Sequence, residues 1–118
     1  MAKILVIEDD QSLLNNLVLA LNAHQVLVAK TASEGLEKIK SEKPDLILLD
    51  LILPDADGVE VIKKIKADNE SKNIPVIVLT NLTDEEKLKA AESSGCSQCF
   101  IKADWSIDDL VKKIETYL

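Results

Sequence analysis

The sequence predicts an α/β domain, a (βα)5 doubly wound parallel sheet with helices on both faces. Five short apolar runs recur along the chain, and most are continuous rather than alternating, as strands buried on both faces require. The segments between them carry apolar residues at helical spacing. Strict alternation of the two element types implies parallel pairing through right-handed crossovers.

The elements follow in order. Ile4-Leu5-Val6-Ile7 reads as the first strand, and Leu13, Leu14, Leu17, Val18 and Leu21 form the stripe of the first helix. Val26-Leu27-Val28-Ala29 is the second strand, and Leu36 with Ile39 marks a shorter helix. Leu46-Ile47-Leu48-Leu49 follows Pro44, a first-strand position where a missing N–H is tolerated. Asp57-Gly58 starts the third helix, whose stripe is Val59, Ile62 and Ile65. Val76-Ile77-Val78-Leu79 follows Pro75. Thr83-Asp84-Glu85-Glu86 reads as a capping box, opening a helix from about Asp84 to Ser94 that Gly95 closes in a left-handed conformation. Cys99-Phe100-Ile101 is the last strand. Ser106 caps a fifth helix with the stripe Ile107, Leu110, Val111, Ile114 and Leu118.

Composition narrows the function. The 118 residues carry 21 acids against 14 lysines and no arginine, a net charge of −7. Such a chain repels phosphate backbones and lacks the planar fork that reads guanine, so direct nucleic-acid binding is not expected. No apolar run approaches the roughly 20 residues of a membrane span. Met1-Ala2-Lys3 leads straight into a strand, so no secretory leader is expected and the location is expected to be cytoplasmic. One domain fills residues 1–118 in this reading. Three aromatics, Phe100, Trp105 and Tyr117, are too few for a stacking platform.

In parallel α/β sheets ligands bind at the carboxyl ends of the strands. Here those ends are Glu8-Asp9-Asp10 after strand one, Asp50 after strand three, Thr80-Asn81 after strand four and Lys102 after strand five. One acid at a strand end is ordinarily a loop start or a helix cap, and a lone lysine is ordinarily a surface residue. The joint occurrence is different: carboxylates converging on one crevice raise each other's pKa unless a cation neutralises them. Carboxylate oxygens without a histidine or thiol favour a hard, hydrated ion such as Mg²⁺. A lysine beside a carboxylate and a metal suits phosphoryl transfer, with the carboxylate as nucleophile.

Ile4 to Asp10, Leu48 to Gly58, Pro75 to Thr80 and Phe100 to Lys102 resemble the receiver domain of two-component response regulators, and the likeness runs the length of the chain. It implies a flavodoxin-like fold with strand order 2-1-3-4-5. It implies that Asp50 accepts a phosphoryl group in a Mg²⁺-dependent reaction. Asp9 and Asp50 would ligate the metal directly, Glu8 would support it and the Ile52 backbone carbonyl would complete the protein ligands. Lys102 would pair with Asp50 and then with the phosphoryl group, and Thr80 would close onto a phosphoryl oxygen. The donor would be a sensor histidine kinase or phosphotransfer protein. A downstream protein would read the face formed by helix four, strand five and helix five, a face whose mixed charges equally suit a homodimer. The chain would then be a signalling domain with self-catalysed phosphorylation and slow autodephosphorylation, not an enzyme with a separate substrate, and residues 1–118 would hold no output domain.

Three positions depart from that family's pattern. Asn81 stands where a small residue is usual, Ala103 where proline is usual, and Cys99 where an inward-swinging aromatic is usual. They leave open a second reading, a degenerate receiver that serves as a constitutive interaction module. A Mg²⁺-dependent phosphohydrolase is disfavoured, because Ile52 occupies the place of its general acid. Ile52 and Leu82, both apolar, flank the expected path of hydrolytic water, so a long-lived phosphoryl group is expected. Cys96-Ser97-Gln98-Cys99 enters a strand rather than opening a helix, which favours packing over redox chemistry. His24 is expected on the surface, and Trp105 is expected to anchor the start of helix five.

Overall fold

The computed structural model describes residues 1–118. Five strands, β1 (Lys3–Ile7), β2 (Gln25–Ala29), β3 (Leu46–Leu49), β4 (Val76–Thr80) and β5 (Gln98–Ile101), alternate with five helices. These are α1 (Gln11–Ala20), α2 (Ala32–Glu42), α3 (Gly58–Ala67), α4 (Glu85–Ser94) and α5 (Ile107–Glu115). One 3-10 turn, Lys102–Asp104, follows β5 and was not foreseen in the sequence. All strands are parallel in the order β2-β1-β3-β4-β5. The register pairs Ile7 with Ala29 and Leu49, Leu49 with Val78, and Thr80 with Ile101, so the carboxyl ends stand level.

Strand side chains alternate between two cores. Leu5, Ile7, Ile47, Leu49, Val76 and Val78 meet Ile39 of α2, Ile62 and Ile65 of α3 and Ala91 of α4. Ile4, Val6, Leu46, Leu48, Ile77 and Phe100 meet Leu14 and Leu17 of α1 and Leu110 and Ile114 of α5. Each Leu, Ile, Val or Phe side chain buried in this way stabilises the fold by about 1.5–3 kcal/mol relative to exposure, and Ala91 by less. Seating differs between helices. α3 buries Gly58, Val59, Val61, Ile62 and Ile65, whereas α4 buries only Ala91.

Every helix has a side-chain N-cap: Asp10, Thr31, Asp57, Asp84 and Ser106. The cap of α4 is Asp84, which accepts the N–H groups of Glu86 and Lys87, and not the expected Thr83. Gly95 closes α4 at φ 114, as expected. Two members of the apolar stripes lie outside the core: Val18 is 39 % and Leu118 46 % exposed. His24 is not a free surface residue. Its Nδ1 accepts the backbone N–H of Ala2 at 3.1 Å and its Nε2 lies 3.6 Å from Glu115 Oε1. It lines a cavity of about 450 Å³ at the amino ends of the strands, together with Met1, Tyr117 and Leu118. No helix is long and apolar enough to cross a membrane.

Candidate functional site

Asp50 directly follows β3, and its N–H donates to Ile7 O at 3.0 Å, which locks it to the end of β1. The side chain is buried, with both oxygens engaged: Oδ1 accepts the Ile52 N–H at 3.1 Å and Oδ2 accepts Lys102 Nζ at 3.0 Å. Lys102 opens the 3-10 turn after β5 and reaches across to pair with Glu8 as well. Burial alone would lower the lysine's pKa, but its bonds to Glu8 and Asp50 outweigh that and raise it above the ordinary value.

Glu8 is 3 % exposed, and its Oε2 accepts the N–H groups of Asp9 at 2.9 Å and Asp10 at 3.2 Å. Its pKa is pushed up to about 7, first by burial and then by the Asp50 charge, against the pull of Lys102. Asp9 is exposed beside it. One carboxylate oxygen from each of Glu8, Asp9 and Asp50 falls within 4.8 Å of the others. This all-oxygen set, with no sulfur or imidazole, fits a hard divalent cation. Asp10 belongs to a different structure: its Oδ1 accepts the N–H groups of Ser12 and Leu13 and starts α1.

The remaining expected residues divide. Thr80 ends β4 fully buried, its hydroxyl accepting the Leu82 N–H at 3.1 Å. The crevice of about 280 Å³ at Asp50 is lined by Asn81, Ile52 and Pro54 among others, and Thr80 is not part of that lining. The Ile52 side chain is 55 % exposed, and its backbone reaches Asp50 through the N–H. Cys99 packs toward the α2–α3–α4 core, while Phe100 points to the other face, as strand alternation dictates. There Phe100 meets Trp105 edge-on, with ring centroids 4.8 Å apart, which fixes the lead-in to α5. Ala103 lies in the 3-10 turn, and no peptide bond is cis. Cys96 and Cys99 are free thiols packed on the core, and burial pushes the Cys96 thiol up to about 11, away from redox reactivity.

Two acids shape the loop leading from Asp50: Asp55, which the sequence reading gave no role, and Asp57, which it placed at the start of the third helix. Asp55 accepts the N–H groups of Ala32 and Ser33, tying the loop to the start of α2, and those bonds hold its carboxyl below the usual range. Asp57 caps α3 through the Val59 N–H and binds Lys87 of α4 at 2.6 Å. Its carboxyl is lowered first by the Lys87 bond and then by the cap. The DxDG spacing carried a signal for the cap, but nothing local announced the lysine thirty residues away.

A parallel sheet of this order with a half-buried lysine bridging two buried acids at its carboxyl edge defines a receiver-type module. The response regulator receiver domain model matches residues 4–115, and the chain belongs to that family. It is 36 % identical over 115 residues to the transcriptional regulatory protein KdpE of Staphylococcus aureus, covering 96 % of this chain and 48 % of that one. It is 31 % identical over 121 residues to the polar-differentiation response regulator DivK of Brucella anthropi, covering 98 % and 94 %. The chain thus spans about half the length of the first relative and nearly all of the second. Among solved structures, the phosphorylated cyanobacterial phytochrome response regulator RcpA superposes with a TM-score of 0.88 at 29 % identity, over 98 % of this chain and 92 % of that one.

Proposed function

We propose that this receiver accepts a phosphoryl group on Asp50 and alters a partner-binding surface in response. The observation that carries the reading is Lys102, held between Asp50 and Glu8 in a carboxylate cluster. Glu8, Asp9 and Asp50, with the Ile52 carbonyl, would hold Mg²⁺, which supplies charge neutralisation for the transferring group. An Asp50 oxygen attacks phosphorus as the P–N bond of a phosphohistidine breaks, and the electron pair stays with the donor's imidazole. Lys102 moves with the charge, from the carboxylate toward the phosphoryl oxygens. The Thr80 hydroxyl, already accepting from Leu82, keeps its proton free to donate to one of them. A sensor histidine kinase or phosphotransfer protein is the fitting donor, and the face built from α4, β5 and α5 is the fitting output surface.

Incubation with Mg²⁺ and acetyl phosphate, followed by intact mass measurement, tests this. The expected result is the gain of one phosphoryl group, abolished in Asp50→Ala and without Mg²⁺. No gain and no Mg²⁺ binding would replace the reading with that of a constitutive interaction module. Ile52 and Leu82 offer water no polar handle, so the adduct should outlast minutes at room temperature; decay in seconds would overturn that part alone.

A further inference from the structure

We propose that Asp57 and Lys87 form a latch that holds the amino end of α4 on the loop leading from Asp50, so that α4 responds to the state of that loop without an aromatic at position 99. This rests on the phosphoacceptor reading given above.

Three observations converge. The first is connectivity. Asp50 Oδ1 holds the Ile52 N–H, Ile52 forms an isolated antiparallel bridge with Asp57, and Asp57 Oδ2 holds Lys87 Nζ at 2.6 Å. A continuous set of contacts therefore runs from the proposed phosphoacceptor into the first turn of α4. The Thr80 hydroxyl holds the same helix's lead-in through Leu82, so α4 is tethered to the site on two sides.

The second observation is how lightly α4 is otherwise held. It buries one residue, Ala91, where α3 buries five. Leu88 and Ala90 pack only partly against the core. A helix with so little apolar seating belongs to the easily displaced part of a structure. A surface ion pair that contributes little where an element is firmly packed then weighs more in the position of this one.

The third is room to move. Beneath the pair lies an apolar cleft of about 300 Å³ between the two loops, lined by Leu51, Leu53, Ala56 and Leu82. The amino end of α4 can move relative to the Asp50 loop across this space without first breaking a packed core. Asp57 is fixed at the α3 side by its bond to the Val59 N–H, so when the pair opens it is Lys87 and α4 that move. The pair is closed in the structure, and in this proposal it opposes the change that phosphorylation of Asp50 would drive. By reciprocity, opening the latch makes the phosphorylated state easier to reach.

The test is a double-mutant cycle with Asp57→Asn, which keeps a helix cap, and Lys87→Met, which keeps the aliphatic stem. Beryllofluoride with Mg²⁺ serves as a stable mimic of aspartyl phosphate, and hydrogen exchange of the α4 amides is read in its absence. Each single variant should bind the mimic about two- to five-fold more tightly and exchange the first turn of α4 faster. The double variant should do no more than either single one, and Lys87→Arg should behave as wild type. Additive effects, or unchanged affinity with unchanged exchange, would overturn the latch. If wild-type protein fails to bind the mimic at all, the phosphoacceptor reading fails instead, and the non-additivity of the exchange rates still decides the latch.

Discussion

Lys102 Nζ lies 3.0 Å from Asp50 Oδ2, and the two residues come from strands separated by β4 in the sheet. The lysine therefore crosses over the end of β4, and it pairs with Glu8 of the β1 end in the same gesture.

Replacing it should have two separable effects. In Lys102→Met, Asp50 and Glu8 are left buried without a cation. Breaking a buried pair ordinarily costs about 3–5 kcal/mol, but Glu8 can take up a proton, so a loss of about 2 kcal/mol is expected in metal-free urea unfolding at pH 7. Phosphoryl uptake from acetyl phosphate should slow on the order of a hundredfold, as for loss of one preorganised charge-stabilising group. Uptake at the wild-type rate would remove Lys102 from the proposed chemistry.

Gly58 is required by close approach rather than by its φ angle. A Cβ there would stand 2.5 Å from Leu51 Cα and 2.8 Å from the Asp50 carbonyl oxygen. These are backbone atoms that cannot rotate away. Gly58→Ala should cost about 2 kcal/mol in chemical denaturation and shift the Asp50 loop. The amide resonances of Leu51 and Ile52 would report that shift.

Acid should act through Asp55 and Asp57. Both carboxyls are held below their ordinary value of 3.8, Asp55 by backbone N–H groups and Asp57 first by Lys87. The unfolded chain thus binds protons more readily than the native one at these sites. Their contribution is present above the ordinary value and is lost as pH falls through the depressed native values. Asp55 is exposed and Asp57 only half-buried, so the effect is modest. Asp57→Asn should flatten the acid limb of the stability curve below about pH 4 and leave the slope at neutral pH unchanged.

The Cys96 thiol should be nearly inert at pH 8, since burial pushes its pKa to about 11. Alkylation by iodoacetamide should run well below the rate of the unfolded protein and increase with pH far beyond the range of an ordinary thiol. A fast, pH-flat reaction would reopen a redox role for the CxxC.

The sheet was legible because strands buried on both faces leave continuous apolar runs, and each run found here extends the expected one by at most a residue or so. The cluster of Glu8, Asp50 and Lys102 was legible because strand ends are countable positions. Capping at α4 was misplaced by one residue because Thr83 and Asp84 can both accept backbone N–H groups, and only the backbone path decides between them. His24 was misjudged because its partners, Ala2 and Glu115, lie at opposite ends of the chain. The Asp57–Lys87 pair escaped for the same reason: a contact between the starts of two helices has no period in the sequence. Asp10, grouped by adjacency with Glu8 and Asp9 at the end of strand one, turns instead to cap α1, because consecutive residues leaving a strand cannot all face one point.

Met1 and Leu118 line one cavity at the amino edge of the sheet, with His24 and Tyr117 between them, while the carboxylates open at the far edge. The molecule is in this sense nearly a closed loop. A short polar linker from Leu118 to Met1, with new ends cut in the exposed turn around Asn22 and Ala23, should give a permuted protein that still binds beryllofluoride. Cargo joined at Met1 or Leu118 would hang from the side opposite the carboxylate crevice, leaving the approach of the proposed donor clear.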